Sequence, residues 1–377
     1  MADSPVYLDH NATTPVAAEV AEAMWPYLTE HFGNPSSASE PGRVARRAVE
    51  HAREQVAALI GADPGEVVFT SGGTESNNLA IRGSADTAAG RVAVTSAIEH
   101  PAVDAPLEHL RTRHGWAVHR LPVDMEARIS VSDLPAGPVG LGTLILAHNE
   151  VGTIEPVAAF ADAIHERGGL AHTDAAQAVG KIPVAVDDLG IDLMSIAGHK
   201  LYAPKGVGAL YVRRGVAVAP VLVGAGQERG IRPGTENVAS IVGLGAAAEI
   251  AAGLLDREVP RQQALCEKLW GLLHARIPDA VRLSPTDGAL PNTLMVAIPG
   301  LLGAAVLEDV AGVSASTGSA CHSGVHEPST ALTAMGLRPD TALGALRLSL
   351  GRATTAADID RAAADLAEAV ARVMGRS

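Results

Sequence analysis

The chain has 377 residues, room for about two domains at ~150 residues each, and is 47% hydrophobic and 19% charged, the composition of a folded globular protein with a sizeable core. Its net charge is −13 with no long basic run to offset it, which argues against nucleic acid as a partner. Two cysteines, Cys266 and Cys321, exclude a disulfide framework and a multi-cysteine metal site, and fit a reducing compartment.

Residues 1–11 carry Asp3 and Asp9 and lack the basic-then-apolar pattern of a leader, so a cytoplasmic protein is expected. A first helical pattern runs from about Val16 towards Tyr27, with Pro26 expected to disturb its end. A second runs from about Pro41 to Ile60, with Ala45, Val49, Ala52, Val56 and Ile60 at helical spacing and Gly61 as its stop. Short β-type runs then alternate with helix-like segments, at 67–70, 92–95, 118–121, 144–147, 170–173, 193–196 and 207–212. Several are nearly continuous apolar runs, as in strands buried on both faces, and the alternation predicts an α/β core with a mostly parallel sheet. A long helical region spans roughly 236–274. Its apolar stretch 238–255, interrupted by Glu249, reads as a buried helix and not as a membrane span. After Pro278 come an apolar run at 293–298, a Gly/Ser-rich loop at 317–324, a run near 346–350 and a final helix at about 355–374, the pattern of a smaller α+β unit.

Ligands of parallel sheets collect beyond the carboxyl ends of the strands, so the residues that follow each run carry the chemistry. After 67–70 come Ser71, Gly72, Gly73 and Thr74. Glycines there let backbone approach a ligand, and the following helix aims unpaired N–H groups at it, which suits a phosphate; an ordinary strand–helix turn is the plain alternative. The run is neither a Walker loop nor a dinucleotide fingerprint. His100 follows 92–95, Asn149 follows 144–147, Asp174 and Gln177 follow 170–173, and His199 and Lys200 follow 193–196. Singly, Lys200 reads as a solvated lysine and Asp174 as a cap or a metal ligand. Together they match what pyridoxal phosphate needs: a lysine for its aldehyde, a carboxylate for its ring nitrogen, a phosphate cradle, and a flat group, His100, against the ring.

Cys321 sits in a loop that cannot pack a thiol into a core, so its thiol is expected to be exposed, and is either reactive or incidental. Cys266, beside Leu265 and Leu269 in a helical pattern, reads as packed and inert. Arg347, within an apolar strand-like run, is either an edge charge or a bidentate clamp for a carboxylate. A metallohydrolase built on His172, Asp174 and His199 is a competing class, weakened by the scatter of that set, and no metal site is expected.

These residues, with the segments 7–15, 33–37, 69–78, 99–101, 149–152, 172–178, 198–200, 204–211, 227–229, 232–237 and 347–352, resemble the cysteine desulfurases and selenocysteine lyases, in the fold-type I, class V aminotransferase group. The resemblance implies a large cofactor-binding domain (16–255) with a mostly parallel sheet flanked by helices, and a small α+β domain (1–15 and 256–377) carrying the Cys321 loop. It implies pyridoxal phosphate as cofactor and conversion of L-cysteine to L-alanine, with a persulfide left on Cys321 for a sulfur-acceptor protein, such as a scaffold for iron–sulfur cluster assembly. Release of selenium from L-selenocysteine by the same residues is the alternative it leaves open. By the same resemblance Lys200 bonds the cofactor, Asp174 keeps the ring nitrogen protonated, and His100 stacks on the ring and moves protons. Asn149 and Gln177 lie near the ring hydroxyl. Gly73, Thr74, His199 and, from the partner subunit of a homodimer, Thr235 hold the phosphate, while Asn11, Asn149 and Arg347 bind substrate. The pattern's usual serine three residues before the lysine is Ala197 here, and its usual asparagine at 148 is His148.

Overall fold

Seven of the apolar runs form one sheet in the computed structural model, which describes residues 4–317, 321–322 and 325–375. In chain order these strands are β1 (Val67–Thr70), β2 (Val92–Ser96), β3 (Ala117–Leu121), β4 (Leu141–Ile145), β5 (Leu170–Asp174), β6 (Leu193–Ala197) and β7 (Gly208–Val212). Across the sheet they lie in the order β1-β7-β6-β5-β4-β2-β3. The five from β6 to β3 are parallel, and β7 runs antiparallel to both of its neighbours. Strands β1, β4, β6 and β7 are buried at every residue, as strands covered on both faces must be. The edge strand β3 exposes Ala117, His119 and Arg120.

Helices α1 (Ala18–Thr29) and α2 (Glu40–Ile60) fall within two residues of the two helical patterns expected, and α3 (Gly73–Ala85), α4 (Pro101–His114) and α5 (Val157–His165) occupy helix-like segments between strands. Ser39 caps α2 by accepting from the Gly42 N–H, and Gly61 ends it in the left-handed conformation (φ 67°). Pro26 lies inside α1 and does not end it. A larger correction concerns 144–147. The strand is Leu141–Ile145, and residues 146–154 make a buried excursion closed by an Ala147–Ile154 bridge and a His148 N–H bond to the Thr153 carbonyl. Apolar composition marks burial there, not strand, and the excursion is what carries Asn149 to the sheet's end.

The 39-residue helix α6 (Val238–Arg276) belongs to two hydrophobic clusters. Ile241, Leu244, Ala247 and Ala248 pack with the sheet and α2. Leu265, Cys266, Leu269 and Leu273 pack with β8 (Thr293–Ala297), β9 (Ala345–Ser349), the final helix α7 (Ala356–Met374) and the N-terminal strand Val6–Tyr7. By length and composition α6 could cross a membrane, but it packs against α1, α2 and α7. The chain's start pairs with its later part: Val6–Tyr7 runs parallel to Val313–Ser314, and Asp9 bridges Ser349. That pairing lays residues 9–14 over the carboxyl end of the large sheet.

A buried ion pair fastens the segment before α6 to this frame. Arg53 of α2 donates from Nη1 and Nη2 to Glu228 Oε2 and Oε1, each at 2.8 Å, and Glu228 also accepts from the Phe69 N–H at 2.9 Å. The guanidinium lies 4.7 Å from the centre of the Phe69 ring. Glu228 and Arg229 both sit at positive φ (45° and 57°), strain that the pair holds in place. Glu228→Gln keeps the shape but leaves the buried Arg53 charge with only the exposed Glu50 as its ionic partner, so it is expected to cost about 2 kcal/mol. Thermal and denaturant unfolding would read this as a lowered midpoint.

Candidate active site

Three parallel strand ends set the centre of the site. Asp174 closes β5, Lys200 follows β6 by three residues, and the Asn149 excursion follows β4. One level below, His172 links the three strands, with Nδ1 2.7 Å from Thr143 Oγ1 and Nε2 3.0 Å from Ser195 Oγ. Complete burial pushes the His172 pKa down to about 3, so the ring stays neutral. It is spent on strand alignment, and the set His172, Asp174 and His199 does not form a ligand cluster. Among the described residues no group of three or more His, Cys, Asp or Glu side chains is placed to hold a metal.

Asp174 is 4% exposed. Its Oδ2 accepts from Asn77 Nδ2 at 2.7 Å and its Oδ1 from the Ala176 N–H at 2.9 Å, and among the described residues no lysine, arginine or histidine pairs with it. Nearby Glu99 is driven up to about 8 by burial, with Asp174 and Glu155 adding to the rise, so the Glu99 carboxyl is protonated at neutral pH.

Lys200 Nζ donates to the Asn11 carbonyl at 2.6 Å and the Ala12 carbonyl at 2.9 Å. Burial, helped by Arg347 and opposed by Asp174 and Asp9, lowers its pKa to about 8. His100 caps α4: its Nδ1 accepts from the Ala102 N–H at 3.0 Å. Burial also holds its pKa below the usual value, so the neutral ring carries its hydrogen on Nε2. His199, pushed down to about 4 by burial and by Lys200, bonds Thr13 through Nδ1.

The turn after β1 leads into the thirteen-residue α3. Gly72 sits at φ +144°, and a Cβ on Gly208 of β7 would stand 2.7 Å from the Gly72 Cα, so glycines bring turn and strand together. Gly73 and Thr74 begin α3 at the wall of the site, where its first N–H groups have no helical partner. A Cβ on Gly73 would meet the Ala197 methyl at 3.2 Å, so position 197 lies against the cradle without offering it a donor.

Arg347, 6% exposed in β9, reaches across from the other cluster. Its Nη2 donates to Asp9 Oδ1 at 2.8 Å and its Nη1 to the Asn149 carbonyl at 3.2 Å, while buried Nε has no partner. Asn11 is fully engaged: Oδ1 accepts from Lys181 and Asn292, and Nδ2 donates to Thr293 Oγ1 and the Asn149 carbonyl. His148, expected as a departure from pattern, is buried and neutral, its pKa lowered to about 4 by burial and Arg347, and its Nδ1 accepts from the Glu150 and Val151 N–H groups.

These groups share one cavity of about 330 Å³, lined among others by Asn11, Gly73, Thr74, His100, Asn149, Asp174, Gln177, His199, Lys200 and Arg347. That is large enough for a substituted pyridine ring and its phosphate. A buried carboxylate without a cation, an amine of lowered pKa and a helix N-terminus are the three partners pyridoxal phosphate requires, and the residues fit it. Two expected residues stand apart. Thr235 is exposed and does not line the cavity of its own chain. Cys321 is placed by backbone alone, in a strand Cys321–His322 paired with Val325–His326; its side chain, and residues 318–320 and 323–324, lie outside the described residues. Cys266 is buried in α6 and its thiol pKa is raised to about 12 by burial, an inert thiol. Asn77, Asp9 and Lys181 were not assigned roles from sequence. Asn77 falls one turn into α3 from the glycine turn, and Lys181 lies four residues after Gln177, spacings that could have drawn attention to both.

The family model described as aminotransferase class-V matches residues 6–362. A protein of Trichormus azollae named cysteine desulfurase is 45% identical over 380 aligned residues, which span 99% of this chain and 95% of that protein. A solved structure of a NifS-like protein matches with a TM-score of 0.91 at 35% identity, over 98% of this chain and 100% of its own. Another, SspA in complex with cysteine, matches with a TM-score of 0.81 at 36% identity, over 91% of this chain and 98% of its own.

Because Lys200 attacks an aldehyde only as the neutral amine, capture of pyridoxal phosphate by cofactor-stripped protein is expected to be slow at pH 6, rise through a midpoint of about 8, and level off above it. Stopped-flow absorbance across that range measures the midpoint. An ordinary lysine would place it near 10.4.

Proposed function

The chain belongs to the cysteine desulfurases of the class-V aminotransferase family, and from that membership we propose how its own residues divide the work. The enzyme is pyridoxal phosphate-dependent and converts L-cysteine to L-alanine with transfer of the sulfur. The selenocysteine reading is not favoured, since the relatives are named for cysteine. Bound in the cavity, the cofactor supplies an electron sink for the bonds at the substrate Cα.

Lys200 holds the cofactor at rest, and its Nζ, once free, takes the proton from the substrate Cα. Asp174 keeps a proton on the ring nitrogen. The Gly73–Thr74 helix start and His199 hold the phosphate. His100 would face the ring and hold or move a proton at Nε2, the nitrogen not bonded to Ala102. Arg347 presents its guanidinium to the substrate carboxylate, held in aim by Asp9 and the Asn149 carbonyl. The Cys321 thiolate attacks the substrate sulfur: an S–S bond forms, the C–S bond breaks with its electron pair passing to Cβ, and Cβ takes a proton to become the alanine methyl. No external oxidant is required, because the substrate carbon is reduced as the two sulfurs are joined. The observation that supports this division most directly is the convergence of Lys200, Arg347 and an unpaired Asp174 on one cavity.

We further propose a cytoplasmic homodimer that hands the persulfide sulfur to an acceptor protein. Thr235 then serves the partner's phosphate site, since it is exposed and stands away from its own. The Arg232–Glu75 ion pair, 2.8 Å, ties its segment to α3. Residues 16–255 form the cofactor-binding unit, and 1–15 with 256–377 the unit that bears Arg347 and Cys321.

Two sets of variants test the division. Cys321→Ser is expected to bind pyridoxal phosphate and still change its spectrum with L-cysteine, yet to form little alanine and no persulfide. Cys266→Ser should behave almost as wild type apart from a modest stability loss. Mass spectrometry after one turnover should find the added sulfur on the Cys321 peptide; sulfur on Cys266, or full activity in Cys321→Ser, defeats the assignment. Arg347→Lys keeps the charge and loses the fork, so kcat/KM for L-cysteine should fall at least ~10-fold, about 1.4 kcal/mol.

A further inference from the structure

Behind the floor of the cavity lies a second lysine that the reaction does not use. Lys181 follows Gly180, which sits at φ +79° where a Cβ would stand 3.2 Å from the Leu201 Cβ and 3.3 Å from the Ala251 Cβ. Its Nζ donates to Asn11 Oδ1 at 2.8 Å and to Gln177 Oε1 at 2.5 Å. Among the described residues no carboxylate lies within ion-pair distance of it. It shares with Lys200 a small chamber of about 20 Å³, room for about one water, also lined by His10, Glu258 and Arg352. Burial, and the nearby charges of Lys200 and Arg347, hold its pKa well down.

A lysine in this position imposes a direction on its neighbours. A side-chain amide can present either its oxygen or its NH2 to a given partner, and nothing intrinsic to glutamine chooses between them. An amine donates in either protonation state. With Lys181 on Oε1, Gln177 must turn Nε2 the other way. One Nε2 hydrogen goes to the Asn11 carbonyl at 2.9 Å, and the second is left for the cavity that Gln177 lines. The same amine, with Asn292, fixes the Asn11 amide, and the Asn11 carbonyl is the acceptor that Lys200 Nζ uses.

We propose that Lys181 is a positioning residue that sets the hydrogen-bond polarity of the cavity floor, locking Gln177 as a donor toward the bound cofactor. The proposal rests on the reading that Gln177 faces the cofactor's ring hydroxyl, and it assigns the control of that contact to a side chain that never touches the ligand.

The test is a double-mutant cycle on the full-length protein, stripped of cofactor and titrated with pyridoxal phosphate, reading the dissociation constant and the position of the visible band. Lys181→Met is expected to weaken binding roughly tenfold, the effect of one lost hydrogen bond, and to move the band to where Gln177→Leu places it. The double variant should bind no more than about twofold more weakly than Gln177→Leu, because Lys181 acts through Gln177. Wild-type affinity and band in Lys181→Met, or losses that multiply in the double variant, overturn the proposal. If Lys181→Met does not fold by circular dichroism, Lys181→Arg retains the donors and should bind within about threefold of wild type; a tenfold loss there overturns it. A wild-type protein that takes up no pyridoxal phosphate overturns the cofactor reading as well, whereas uptake indifferent to Lys181→Met overturns this inference alone.

Discussion

A carboxylate buried without a counter-ion is the constraint around which this protein is arranged. Placing Asp174 at 4% exposure costs several kcal/mol unless something compensates its charge, and the protein supplies only two neutral donors, from Asn77 and Ala176. A carboxylate left in that state suits a protonated nitrogen on the group that fills the cavity. Glu99 and His172, both neutral, add no charge of their own beside Asp174, and Lys200 and His100 lie close enough to feel it. The all-buried neighbour strands β4 and β6 give Asp174 a fixed position, in register with Ile145 and Ser195.

The remaining side chains are brought to Asp174 from distant parts of the chain. Residues 9–14 are held over the sheet by the pairing of Val6–Tyr7 with Val313–Ser314, and they supply the carbonyls that Lys200 bonds and the Asp9 that aims Arg347. Arg53, Glu228, Arg232 and Glu75 anchor the segment bearing Thr235 to both α2 and α3. The site is therefore a junction between two hydrophobic clusters, and each cluster contributes charge to it: Asp174 and Lys200 from the sheet, Arg347 from the other side.

Much of this was legible in the sequence, for a definite reason. Strands covered on both faces read as apolar runs, and the residues that end them, Asp174, His100 and Lys200, break those runs visibly. The glycine turn before α3 was legible because a close approach of backbone to ligand and a positive φ both demand glycine. What stayed hidden is long-range. Arg347 and Asp9 are 338 residues apart, and no local pattern announces that they meet. Asn149 follows an apolar run that is partly strand and partly buried excursion, so the strand was expected to start three residues late and end two residues late. Lys181 resembles any surface lysine until its bonds to Asn11 and Gln177 are seen. Ala197 was legible as a departure, and its methyl against Gly73 explains how the cradle wall closes without the hydroxyl usual there.

On this reading Lys200, and no other lysine, is the amine that bonds the cofactor in the cavity it shares with Asp174. Lys181 shares its hydrogen-bond network, and Lys205 lies five residues on. Borohydride reduction of the protein loaded with pyridoxal phosphate, followed by peptide mapping in a mass spectrometer, tests this assignment most directly. The account predicts a pyridoxyl group on the peptide carrying Lys200 alone. A pyridoxyl group on Lys181 or Lys205, or none on any lysine, would contradict it.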